Sequence, residues 1–142
     1  MTTVEADILI NMVKSIADAA VKLPGNGCNI AIPAHSENPK QSFVIRIYKG
    51  RVEGVCRSIC GILKSENTPL LRLDICGRHR VHKNADGTLV RGSHWHIYRE
   101  EDDNFAIADT SLDSEAFAEQ VRRHFEDFGI SPIPELNEQM TL

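Results

Sequence analysis

Apolar residues near the start of the chain recur at steps of four and finally three: Val4, Ile8, Met12, Ile16, Ala20 and Leu23 form one stripe between polar neighbours. That spacing predicts an amphipathic helix, with Thr2 and Glu5 placed as a capping box and Pro24-Gly25 as its stop. Residues 24–42 are rich in Gly, Pro, Asn and Ser and read as loop, with one short strand around Asn29 to Ile32. Beyond them the period falls to two. FVIRIY (43–48), a run from Arg51 to about Leu63, PLLRLDI (69–75), SHWHIYR (93–99) and FAIAD (105–109) are predicted strands. Lys49-Gly50 supplies a hairpin turn, and Asn84-Ala85-Asp86-Gly87 a second return. Residues 113–128 set Phe117, Val121, Phe125 and Phe128 on one helical face, with Thr110 and Asp113 at the start and Gly129 at the stop. The tail after it, with two prolines and little pattern, is expected to fray or lie along the surface.

Successive side chains of a strand point to opposite faces, so counting in twos sorts each strand. Phe43, Ile45, Ile47, Leu71, Leu73, Ile75, Trp95 and Ile97 fall on one side. Arg46, Tyr48, Arg72, Asp74, His94, His96 and Tyr98 fall on the other. The expected architecture is therefore α+β: an antiparallel sheet of four to six strands, one face covered by N-terminal and C-terminal helices, within a single domain spanning 1–142.

At 142 residues, 42% hydrophobic and 25% charged, the chain has the composition of a globular protein and not of a disordered one. Glu5, Asp7, Lys14 and Asp18 interrupt the leading apolar stripe, so a secretory signal is not expected, and no run is long enough to span a bilayer. A cytoplasmic location follows as the expectation. Cys28, Cys56, Cys60 and Cys76 stand at irregular spacings and read as unbridged, small buried hydrophobes. The net charge of −4 hides an asymmetry. Residues 40–99 hold twelve of the sixteen Lys and Arg against four acids, a net of +8 that leaves −12 for the rest. A basic middle of this kind suits an anionic partner.

The polar face supplies what a ribonuclease requires: arginines for phosphate, tyrosine and histidine to stack on bases, and histidine to carry protons near neutral pH. We therefore expect RNA, or another phosphate-rich ligand, as partner. His94, His96, Tyr98 and Asp74 are the candidate catalytic residues, and Arg46, Tyr48, Arg72, His79, Arg80 and His82 the candidate substrate contacts. This chemistry, a metal-independent endoribonuclease at its fullest, asks for no cofactor. His79, His82, His94 and His96 beside Cys76 and Asp74 also raise a metal-assisted hydrolase, although the spacing matches no standard zinc signature. Under that reading the segment bearing His79 and His82 folds over the ion. His35 and His124 lack such neighbours and read as surface residues. A third class is a non-catalytic inhibitor whose acidic loop, Glu100 to Asp103, meets a basic protein partner.

The segment LLRLDICGRHRVHKNADGTLVRGSHWHIYRE (70–100) resembles a family of small, uncharacterised prokaryotic proteins associated with mobile elements. The resemblance is carried by Arg72-Leu73-Asp74, Gly77-Arg78-His79, Asp86-Gly87 and His94 through Tyr98. More weakly, the order of an Arg-x-Asp strand, loop histidines and a His-x-His strand is similar to small toxins of the TumE type. These resemblances imply a phage, plasmid or toxin-antitoxin setting, with an antitoxin or a host defence complex as the protein partner.

Overall fold

The computed structural model describes residues 1–52 and 56–139. Its centre is a six-stranded antiparallel sheet built from β2 (Asn29–His35), β3 (Ser42–Lys49), β4 (Arg57–Leu63), β5 (Thr68–Ile75), β8 (His94–Ile97) and β9 (Phe105–Ala108), in that spatial order. The strands form a meander broken once, where a two-stranded hairpin of β6 (Val81–Lys83) and β7 (Leu89–Arg91) is inserted between β5 and β8. Gly87 turns that hairpin at φ +91°, a backbone angle most side chains disfavour. Two further short strands, β1 (Ala20–Lys22) and β10 (Glu135–Asn137), pair in parallel and fix the tail along the surface.

The two predicted faces are present. Phe43, Ile45, Ile47, Ile59, Leu71, Leu73 and Trp95 are buried in one core with residues of helices α1 (Thr3–Asn11) and α2 (Phe117–Asp127). The fold is thus α+β, with both helices on the apolar face. Helix α2 buries the predicted Phe117, Val121 and Phe125, and Phe128 follows at its C-cap. Each fully buried aromatic stabilises the core by about 1.5–3 kcal/mol. Its N-cap is Ala116 without a side-chain hydrogen bond, so neither Thr110 nor Asp113 caps it.

Helix α1 departs from expectation in length and in orientation. Thr2 does cap it, accepting the Glu5 amide at 3.0 Å, but the helix ends at Asn11 and the chain is extended at Met12. Its buried residues are Ala6, Leu9 and Ile10, whereas Val4 and Ile8 of the predicted stripe are 68% and 59% exposed. A stripe running to Leu23 needs six turns of helix, and only about two and a half form. In so short a helix the row Ala6, Leu9, Ile10 gives a compact i, i+3, i+4 contact with the sheet. Two other readings are corrected. His124 is fully buried on α2 and not a surface residue, and only Cys60 of the four free cysteines is buried, Cys28 being exposed. The expected extended run from Arg51 becomes strand only at Arg57; residues 53–55 lie outside the described residues.

Candidate functional site

Strand register aligns the polar face into two transverse rows. One runs Tyr48, Ser58, Asp74, His94 across β3, β4, β5 and β8; the other runs Arg46, Cys60, Arg72, His96. Residues 46 to 96 are thus brought side by side by pairing between neighbouring strands. Arg46 and Tyr48 are exposed at one end of the rows, and His94 and His96 are 7% and 6% exposed at the other.

The histidines are covered by the inserted hairpin and not by a helix. Asn84, at the end of β6, docks the hairpin on the open edge of β9: its Nδ2 donates to the Ala106 carbonyl at 3.0 Å, and its Oδ1 accepts the Ala106 amide at 2.8 Å. That pair imitates one rung of a strand ladder and satisfies both edge groups. Asp102 braces the same turn by accepting the Ala85 amide at 2.8 Å. His82 of β6 is thereby held over the pair, with ring centroids 4.9 Å from His96 and 6.1 Å from His94.

Beneath His82 three side chains converge. The Nε2 atoms of His94 and His96 lie 2.9 Å apart, and Asp74 Oδ2 is 3.5 Å from the first and 3.4 Å from the second. Each imidazole is oriented from behind, His94 Nδ1 donating to the Gly92 carbonyl at 2.7 Å and His96 Nδ1 to the Asn104 carbonyl at 2.8 Å. Asp74 is held in turn by the Ser58 hydroxyl at 3.0 Å and by Arg72 Nε at 3.1 Å. Burial alone would raise the Asp74 pKa, but hydrogen bonds from His94 and His96 and the Arg72 charge outweigh it and hold the carboxyl well below its ordinary range. Burial likewise opposes protonation of His94, yet Asp74 and the Gly92 carbonyl raise its pKa above the ordinary value. His82 is shifted down, by burial and then by His96 and His94.

The cluster opens on a cleft of about 380 Å³ whose lining includes Tyr48, Arg72, Asp74, Arg80, His82 and His94. Six of the ten predicted site residues therefore line it, with His96 against His94 beside them and Arg46 two places along its row from Arg72. Two stand apart. Tyr98 lies beyond the end of β8 and donates its hydroxyl to the Met1 carbonyl at 3.0 Å, and His79 is exposed on the loop before β6 and outside the cleft lining. Ser58 and Asn84 were missed as site residues. Ser58 was recoverable from strand alternation once β4 was placed, whereas the grip of Asn84 on Ala106 has no local signal in sequence.

The contact between the two Nε2 atoms also limits the chemistry. Concerted metal-free cleavage places a base and an acid on opposite sides of a phosphate. These imidazoles face each other, so without an ion they can share at most one proton and act as one group.

Residues 1–130 match a family described as a family of unknown function, DUF6978, and the chain belongs to that family. The match supplies no activity and no setting. No curated protein and no solved structure gives a significant match.

Proposed function

We propose that this DUF6978 protein binds RNA across the polar face of its sheet and that the Asp74, His94, His96 cluster acts on a phosphodiester held there. The observation that carries the reading is the pair of transverse rows, which sets arginines beside a proton-holding cluster at the mouth of one cleft. Exposed Arg46 and Arg80 contact phosphates, and Tyr48, 40% exposed, offers a ring on which a base stacks. Arg72, engaged with Asp74, aligns the cluster and presents its remaining donors to the phosphorus-bound oxygens. In cleavage the 2′-hydroxyl proton passes to the histidine pair, the 2′-oxygen bonds phosphorus, and the bond to the 5′-oxygen breaks. The pair then returns the proton to that oxygen, leaving a 2′,3′-cyclic phosphate.

A toxin-antitoxin or mobile-element setting, with an antitoxin or host defence complex as protein partner, is the biological frame we infer from the 70–100 segment. The inhibitor reading rests on fewer free groups, because Asp102 is engaged with the Ala85 and Asn104 amides and Glu100, Glu101 and Asp103 are the exposed acids of its loop.

The test is anisotropy of labelled single-stranded RNA, with DNA of the same sequence as comparator. Wild type should bind RNA at low salt, and Arg46→Ala or Arg80→Ala should weaken binding and flatten the salt dependence by about 0.7 log unit per lost phosphate contact. Absence of binding at low salt, or binding indifferent to both substitutions, sinks the proposal.

A further inference from the structure

We infer that Asp74, His94 and His96 form a binding site for a first-row divalent transition metal, facing the cleft beneath His82. Carbonyl oxygens only accept, so the contacts to Gly92 and Asn104 place a hydrogen on Nδ1 of both histidines. The lone pairs of both neutral rings are then on Nε2, and these atoms point at each other across 2.9 Å with a carboxylate oxygen 3.4–3.5 Å away. Three electron pairs directed at one point repel one another unless a proton or a metal ion lies between them, and an ion that enters displaces the proton. An ion about 2.1 Å from each ligand puts neighbouring ligands about 3.0 Å apart in an octahedral arrangement and about 3.4 Å in a tetrahedral one. The separations present already span that range, so the ion needs almost no rearrangement to enter.

The surrounding shell fits the same assignment. Histidines that bind metal commonly give their second N–H to a backbone carbonyl or a carboxylate, and their ligating carboxylates are hydrogen-bonded in turn. Both rings here do the first, and Asp74 receives Ser58 and Arg72. His82 adds an independent observation: its Nε2 is buried and makes no hydrogen bond. His82 stands outside the three-ligand group, so that atom is suited to bind a water carried by the ion and not to ligate it directly. Two imidazoles and one carboxylate favour zinc, iron, cobalt, nickel or manganese over magnesium or calcium, which prefer all-oxygen sets. Three protein ligands with a position open to a cleft is the layout of a catalytic site and not of a structural one. An ion held there would acidify its bound water and polarise a phosphoryl oxygen.

The inference goes beyond RNA binding and does not need it, since Arg46 and Arg80 reach phosphate without an ion in the cluster; an ion on both Nε2 atoms would take the place of the histidine pair as proton carrier, its bound water supplying the base. Chelator-stripped protein should take up one equivalent of Co²⁺ or Zn²⁺ with submicromolar affinity, read by titration calorimetry and by the visible absorption of Co²⁺. Asp74→Asn and His96→Ala should each weaken binding by at least about 100-fold, more than loss of an outer-shell partner produces. His79→Ala, remote from the cluster, should bind as wild type does. Emission of Trp95, on the other face of the sheet, reports whether each variant is folded. Uptake of no ion by folded wild type, or equal affinity in folded Asp74→Asn, overturns the assignment. Metal uptake without RNA binding would leave this site standing and remove the RNA reading; the opposite result would do the reverse.

Discussion

Lys14 carries its ammonium where water barely reaches, at 1% exposure. Nζ donates to three carbonyls, Ile10 at 3.0 Å, Met12 at 2.9 Å and Phe128 at 2.7 Å, and lies 4.0 Å from the ring centre of Phe128 and 4.7 Å from that of Phe43. Burial pushes its pKa down to about 7, while three acceptors and two ring faces favour the charged form. The side chain joins the end of α1 to the end of α2, replacing water for carbonyls that neither helix can satisfy internally. Lys14→Met keeps the length and strands those carbonyls, so chemical denaturation should show a loss of about 3 kcal/mol. A loss under about 1 kcal/mol would mean that the contact is incidental. In sequence Lys14 is simply a charge that interrupts an apolar stripe, because the acceptor that ties it to α2, Phe128, lies 114 residues away.

Among the elements, the inserted hairpin has the most to do with the site and the least to hold it. It is attached largely through Asn84 on Ala106 and through Asp102 on Ala85. Asn84→Ala removes two buried hydrogen bonds and leaves the Ala106 backbone groups unpaired, a cost of about 2 kcal/mol. Amide exchange across β6 and β7 should quicken in that variant while β3 to β5 stay protected. Uniform exchange across all strands would show that the hairpin is integral to the sheet. The strands of the sheet were legible because β-branched runs alternate cleanly, and α2 because three aromatics and a valine share one face. α1 was misread because its apolar residues permit two stripes, and the sheet beneath it selects between them. The candidate site was legible as a face, since alternation alone groups His94, His96, Asp74 and Arg72. Its closure was not, because β6 and β7 are too short to announce themselves and their docking depends on one asparagine.

For the molecule as a whole, the core contains a group that titrates. His124 is fully buried, stacks 6.2 Å from Trp95, and donates from Nε2 to the Leu71 carbonyl at 2.9 Å. Burial, aided by the nearby Lys14 charge, lowers its pKa from 6.5 to about 4. The unfolded chain therefore takes up this proton first as pH falls, and stability drops between about pH 6.5 and 4, by up to about 3 kcal/mol. Urea unfolding of wild type should lose that much between neutral pH and pH 4, and a His124→Met variant should lose less over the same window. Parallel curves would contradict a neutral, buried His124. The same scale includes the charge pattern, where the basic middle supplies both rows of the polar face and the acidic ends supply α1, α2 and the brace at Asp102.

The hairpin lies between two strands that are already neighbours, since β5 ends at Ile75 and β8 begins at His94 in direct antiparallel pairing. Continuity of the sheet thus makes little demand on residues 77–91 beyond a reversal of direction, whereas Gly92 and Ser93 are held by His94, Cys76 and Asp109. Changes of length or sequence between 77 and 91 would leave the pairing of β5 with β8, the floor of the site, unchanged. Variation in what reaches the two histidines is then open to selection without disturbing the scaffold that carries them.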